Sequence, residues 1–283
     1  MIRHICYAHI NWNRNPKKKR LAMLALISPA KKLDFETAPT CQDHSIPNLI
    51  DDAKKLISSA RKLSRSKLAK TMQLSEKLAD LNFRRFQDFS TPFHLGNAKQ
   101  AALVFNGDTY VSLQANSLNT GDMEYAQKHL RILSGLYGIL RPLDLIQPYR
   151  LEMGARFSTP YSTNLYEFWG NRITDSINST LERHENKTLI NLASTEYFKA
   201  VNPKALKGSI ITPVFKEIKN GETRTIGMFA KRARGAMARF IIINRVDNLE
   251  GLKDFNANGY EYQNNLSDEK KLVFSRIQPC QNS

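Results

Sequence analysis

The stretch TGDMEYAQKHLRILSGLYGILRPLD, residues 120–144, carries the decisive fold signal of this chain. Thr120 is suited to cap a helix, and Met123, Ala126, Leu130 and Leu133 follow on one face at helical spacing. That periodicity runs directly into Leu133-Ser134-Gly135-Leu136-Tyr137-Gly138. The order hydrophobic-x-Gly-hydrophobic-x-Gly is the form of a helix-hairpin-helix turn, in which glycines expose backbone N–H groups that can hold a phosphate whatever the base sequence. Lys128, Arg131 and Arg141 would add charge and a salt-sensitive affinity. A left-handed glycine cap closing an ordinary helix fits the same residues, and Pro142 would delay any second helix.

Working outward, strand and helix signals are intermixed. Leu24 to Ser28 is a short apolar run stopped by Pro29, a buried strand whose end delivers Lys31, Lys32 and Asp34 to a loop. From Pro47 to Leu63 the apolar spacing is helical, and a second helix is expected over roughly 66–86. Leu103-Val104-Phe105 reads as a strand ending at a turn through Gly107, with Asp108 at its edge. Asn164 and Glu167 resemble a capping box, followed by a core-facing stripe from Leu165 through Trp169 to Leu181. Thr188–Ala193 is a further strand, and Ser194 and Glu196 begin a helical turn at its end. Asn220-Gly221 predicts a hairpin of strands 210–216 and 223–229. A long helix follows from Ala230 to Asn244, and residues 259–277 suit a second hairpin. No repeat, low-complexity tract or Pro/Gly/Ser linker divides the chain. The expectation is one compact mixed α/β (α+β) domain over residues 23–283, with a mixed sheet, surrounding helices and a helix-hairpin-helix element.

Composition limits the function classes. Forty-two Lys and Arg against 26 Asp and Glu leave +16, with a pI near 9.8, so polyanions will gather around the chain. Residues 1–22 hold six of those cations and no acid, leaving +10 for the rest. This leader reads either as an unstructured basic arm or as an upstream-start artefact, and it lacks the apolar region of a secretory signal. No apolar run is long enough to span a membrane, so a cytoplasmic chain without a membrane partner is expected. Cys6, Cys41 and Cys280 are too few and too far apart for a disulfide framework, and the six histidines show no metal-ligand spacing. Neither a metal nor a cofactor is expected, and neither a GxxxxGK[ST] loop nor a GxGxxG fingerprint occurs.

Two sets of residues carry chemistry. Lys231, Arg232, Arg234 and Arg239 place four cations on one helix with no acid before Asp247, an arrangement suited to phosphate contact. Gly235 within that helix implies close approach of backbone, ligand or a neighbouring helix. The second set is Asp34, Asp108, Tyr149, Arg150, Glu152, Glu196 and Tyr197, loop residues that together could form an active site. Catalysis would use Lys31 as an amine nucleophile assisted by Asp108 or Glu152, and would need that amine out of water beside a carboxylate.

Segments spread along the chain resemble the YaaA peroxide-stress family. They include Leu26-Ile-Ser-Pro-Ala-Lys-Lys-Leu-Asp34, Gly107-Asp-x-Tyr110, Leu133-Ser-Gly-Leu-Tyr-Gly-Ile-Leu-Arg-Pro-Leu-Asp144 and Gln147-Pro-Tyr-Arg-Leu-Glu-Met-Gly154. Asn164-Leu-Tyr-x-Phe-Trp-Gly170, Asn191-Leu-Ala-Ser-x-Glu-Tyr-Phe198, Lys231-x-Ala-Arg-Gly235 and Phe255-Asn-x-x-Gly-Tyr260 continue the match in order, from Met23 to about Arg276. The resemblance implies a cytosolic bacterial protein that protects against hydrogen peroxide and is associated with limiting free iron. It also implies DNA binding through a positively charged cleft and a helix-hairpin-helix element, carried onto Lys31, Gly135, Gly138, Lys231, Arg232 and Arg234. The expected partner is therefore DNA, bound nonspecifically or by its structure. A DNA-processing enzyme of glycosylase or lyase type, using Lys31, is the alternative.

Overall fold

The computed structural model describes residues 23–279, and the expected basic extension at 1–22 lies outside them. In chain order these residues form β1 (Leu24–Ile27), α1 (Ile50–Arg61), α2 (Arg65–Met72), α3 (Glu76–Asp88), β2 (Lys99–Gln100), α4 (Ala101–Val104) and α5 (Asp108–Leu113). There follow α6 (Thr120–His129), β3 (Leu130–Ser134), β4 (Gly138–Leu140), β5 (Leu145–Ile146), α7 (Leu165–Trp169), α8 (Arg172–Leu181), β6 (Thr188–Leu192) and α9 (Thr195–Phe198). The chain continues through β7 (Ser209–Lys219), β8 (Glu222–Arg224), α10 (Gly227–Asn244), α11 (Leu249–Lys253), β9 (Glu261–Tyr262) and β10 (Lys271–Ile277).

Eight strands make one mixed sheet in the order β4-β3-β1-β6-β7-β10-β9, with β8 paired to β7. β1, β3, β6, β7 and β10 run parallel, while β4, β8 and β9 are antiparallel additions. Every residue of β1, β3 and β6 is buried, as expected for central strands covered on both faces, whereas β7 alternates with period two. The mixed α/β expectation is thus met. No helix among the described residues is long and apolar enough to cross a membrane.

The decisive stretch folds differently from its periodicity. Asn119 rather than Thr120 caps α6, accepting from the Asp122 amide at 2.8 Å. The helix ends at His129, and Leu130, Arg131 and Ile132 pair in parallel register with Ala25, Leu26 and Ile27. A run of Leu-Arg-Ile-Leu that is buried on both faces has no single polar side, so helical spacing and a central strand are indistinguishable until β1 is available as a partner. Residues 134–138 then turn into β4, with Ser134 Oγ accepting from the Tyr137 amide at 3.0 Å. The expected helix-hairpin-helix element is here a β-hairpin.

Other boundaries move for local reasons. The helix expected over 66–86 is two, α2 and α3, because Gln73 turns left-handed with φ +52°. The stripe 165–181 likewise splits at Gly170, with φ +49°. Leu103-Val104 lies in the helical turn α4, leaving only Phe105 in a single bridge to Leu33. The hairpin at Asn220-Gly221 forms, but its second strand ends at Arg224, and Gly227 opens α10 in place of further strand. The cations of α10 therefore start in its second turn and do not sit on its first N–H groups. Asn164 accepts from the Glu167 amide as expected, while the Glu167 carboxylate reaches back to Thr163.

Helix α10 lies directly on α5. A Cβ at Gly235 would stand 1.8 Å from the Thr109 carbonyl oxygen, so only glycine permits this approach. Of the three readings of Gly235, packing against a neighbouring helix is the one observed.

Candidate functional site

β1 and β6 are adjacent and parallel, so their carboxyl ends deliver Ser28–Lys32 and Ser194–Tyr197 side by side. Ligand crevices of parallel sheets form at such ends. Two serines join the loops: the Ser194 amide donates to Ser28 Oγ at 2.8 Å, and Ser28 Oγ donates to Ser194 Oγ at 3.3 Å. A third wall, Tyr149–Glu152, is held against the β3–β4 turn, where a Cβ on Gly135 would meet the Leu151 carbonyl oxygen at 2.2 Å. The start of α5 and the Lys231 and Arg234 positions of α10 close a crevice of about 470 Å³.

Three tyrosines make the floor. The Tyr110 hydroxyl donates to the Ser28 carbonyl at 2.9 Å, the Tyr149 and Ser134 hydroxyls are bonded at 2.7 Å, and Tyr197 is buried beside Tyr149. Burial pushes all three phenols above their usual range, so they remain neutral. Above them Glu152 bridges Lys31 Nζ at 2.8 Å and Arg150 at 3.3 Å, while Glu196 accepts from the Gly154 amide at 2.9 Å. Asp108 pairs with Arg232 at 3.3 Å. Lys31, Lys32 and Lys231 are exposed at the mouth. Arg234 is half-buried in the wall, has no ion pair or hydrogen bond among the described residues, and burial lowers its pKa.

Of the residues singled out from sequence, Lys31, Asp108, Tyr149, Arg150, Glu152, Glu196, Tyr197, Lys231 and Arg234 line this one crevice. Asp34 does not. Its carboxylate accepts from the Glu36 and Thr37 amides in its own loop, the Thr37 bond being the main reason its pKa is lowered. Gly135 and Gly138 are buried, the second with φ +70° under the Trp169 ring, so neither presents its backbone to a phosphate. Arg239 donates to the Leu113 and Gln114 carbonyls and holds the end of α5.

Lys128, Arg131 and Arg141 meet in a separate cavity of about 690 Å³, with Arg172 from the start of α8 and Arg183 from just beyond its end. There Arg131 donates to the Gln127 and Leu130 carbonyls and Thr180 Oγ1, and burial lowers its pKa to about 10. Arg141 is held by Asp144 and the Ile46 carbonyl. Sequence reasoning missed the joining of Ser28 to Ser194, for which the two strand-end serines were the only signal. It also missed Arg172, at the start of the ordinary-looking amphipathic helix α8, and Arg183, in the turn after it. Among the described residues no three His, Cys, Asp or Glu side chains are grouped to hold a metal ion.

The sheet and its crevice define a mixed α/β protein with a cation-rimmed, tyrosine-floored pocket at parallel strand ends. The chain belongs to the family of peroxide stress protein YaaA, whose profile matches residues 23–266. A UPF0246 protein of Alteromonas mediterranea is 52% identical over 256 residues, covering 90% of this chain and 99% of its own length. UPF0246 proteins of Cellvibrio japonicus (51% over 257 residues; 91% and 100% covered) and Paraburkholderia phytofirmans (50% over 256; 90% and 98%) are similarly close.

Proposed function

We infer that this chain binds DNA as its part in peroxide-stress defence, holding backbone phosphate at the crevice through Arg234, Lys231 and Lys31. The observation that carries the reading is Arg234. A half-buried guanidinium without an anion is costly, and a phosphate would complete it. Lys231, one turn earlier on α10, and the exposed Lys31 and Lys32 extend the same positive rim. Such contacts are independent of base sequence, so affinity should be nonspecific or directed by DNA structure. The association with limiting free iron is, in this reading, a cellular correlate to which no residue here is tied.

The test is duplex binding across a salt series for the wild type, the Lys231→Ala/Arg234→Ala variant and a Lys128→Ala/Arg183→Ala variant. Removing two phosphate contacts should weaken binding and lower the log–log salt slope by about 2, whereas the second pair should change neither as much. Equal binding by all three folded proteins refutes the assignment to this crevice.

The alternative, a lyase-type enzyme, has one specific support: Lys31 Nζ lies 2.8 Å from Glu152. Its other requirement is not met, since the Lys31 side chain is 67% exposed and an amine nucleophile needs removal from water. Borohydride trapping on damaged duplex separates the readings, with a Lys31-dependent adduct favouring the enzyme.

A further inference from the structure

We propose that the crevice receives one nucleotide unit drawn out of a DNA strand, with its base inside and its phosphate on the rim. The proposal rests on the DNA reading above and adds what enters. A volume of about 470 Å³ lies in the range of roughly 300–1,000 Å³ that encloses single small ligands, so a stacked base pair with both its backbones has no room there. Phosphate contact at Arg234, inside the wall and not on the outer surface, brings the attached sugar and base to the opening.

The lining changes character from mouth to floor in the same order as a nucleotide. Exposed Lys31, Lys32 and Lys231 stand at the mouth, and Arg234 and Glu152 are half-buried below. The floor is Tyr110, Tyr149 and Tyr197, with 5–8% exposure. Cations at the rim match a phosphate. A carboxylate below them can accept from the amino and imino N–H groups of a Watson–Crick edge, which only an unpaired base presents. The Tyr110 and Tyr149 hydroxyls are already engaged by the Ser28 carbonyl and Ser134, so these residues offer ring surface to an aromatic ligand. A site for inorganic phosphate alone would need neither the acceptor nor the phenol floor.

Drawing a base out of the stack costs a few kcal/mol and least where the base is unpaired, so DNA with an unpaired base should bind at least about tenfold tighter than matched duplex. The test uses the full chain and an end-labelled duplex with one 2-aminopurine opposite an abasic site, beside the fully matched duplex. Anisotropy reports DNA binding, and 2-aminopurine emission with its quenching by acrylamide reports where the base is. The expected result is preference for the first duplex, with a change in emission of about twofold or more and shielding from acrylamide. Asn106→Trp, which narrows the crevice, should abolish the preference and the shielding.

Binding of both duplexes with unchanged emission and quenching overturns the nucleotide proposal and leaves the DNA reading intact. No binding to either duplex defeats both. Free deoxynucleoside monophosphate and inorganic phosphate are compared as competitors. Stabilisation of the protein by the free nucleotide without any DNA binding makes the crevice a site for a free nucleotide and overturns the strand-borne form. Competition by phosphate equal to that by the nucleotide overturns recognition of the base. Because the wild-type measurement decides the question alone, the outcome does not depend on the folding of the variant.

Discussion

Gly235 of α10 touches the backbone of Thr109 in α5 so closely that a Cβ would lie 1.8 Å from the Thr109 carbonyl oxygen. This contact fixes how far Arg234 and Lys231 stand from Asp108, and so sets the width of the crevice on that side. Gly235→Ala should destabilise the protein by about 1–3 kcal/mol or more through overpacking against a backbone that cannot yield cheaply. Urea denaturation measures it; an unchanged midpoint would show that the helices separate without cost.

Gly138 has φ +70° and lies under Trp169, whose indole N–H donates to the Gly135 carbonyl at 3.1 Å. Gly138→Ala therefore combines backbone strain with a clash, and a loss of about 1–3 kcal/mol is expected. DNA affinity of the folded fraction should be retained. The opposite result, full stability with lost affinity, would restore the phosphate-gripping glycine turn.

Arg239 and Lys231 share a helix but should fail differently. Arg239→Ala takes the guanidinium donor from the Leu113 carbonyl and leaves the Gln114 carbonyl with only its Ser117 donors, costing on the order of 1–3 kcal/mol of stability. Lys231→Ala, at an exposed side chain, should change stability by no more than about 0.5 kcal/mol and reduce DNA affinity. Paired melting and binding titrations of the two variants check this.

Acid should weaken the fold through His184 and His129, both buried, with their tilted rings 5.1 Å apart between centroids. Burial is the main cause that lowers both pKa values, His184 to about 4; the charges of His129 and Arg131 lower His184 further, and those of Arg131 and Lys128 lower His129. Unfolded histidine takes up its proton near the ordinary value of about 6.5, so between about 6.5 and 4 the unfolded state binds more protons. Stability therefore rises with pH through that window and is lost as pH falls through it, by about 3 kcal/mol for His184. In urea titrations at pH 7.5 and 4.5, His184→Leu should reduce the difference between the two pH values. An equal acid loss in that variant would move the cause elsewhere.

The two-serine join at the strand ends shows how far the sequence could be read. Ser28 and Ser194 each follow a short apolar run, so both strand ends were legible, and so were the loop acids and tyrosines beyond them. That the two ends are neighbours depends on β1 pairing with β6, which sets Ser28 beside Ser194, 166 residues away in sequence. Lys128, Arg131 and Arg141 were legible as cations next to glycines. Their separate cavity follows from α8 and the turn after it, which set Arg172 and Arg183 beside them.

By itself the sequence determined the alternation of buried strands with amphipathic helices, the Asn220-Gly221 hairpin, the Asn164 cap and the run of cations on α10. Each of these is fixed by residues within a turn or two of one another. The tertiary structure alone decided that Leu130–Ser134 is a strand, since a doubly buried apolar segment takes its conformation from whichever partner satisfies its backbone, here Ala25–Ile27. It also decided that Arg234 faces a crevice while Arg239 is held by backbone carbonyls. Five positions apart on one helix, the two differ only in what the rest of the fold places against them.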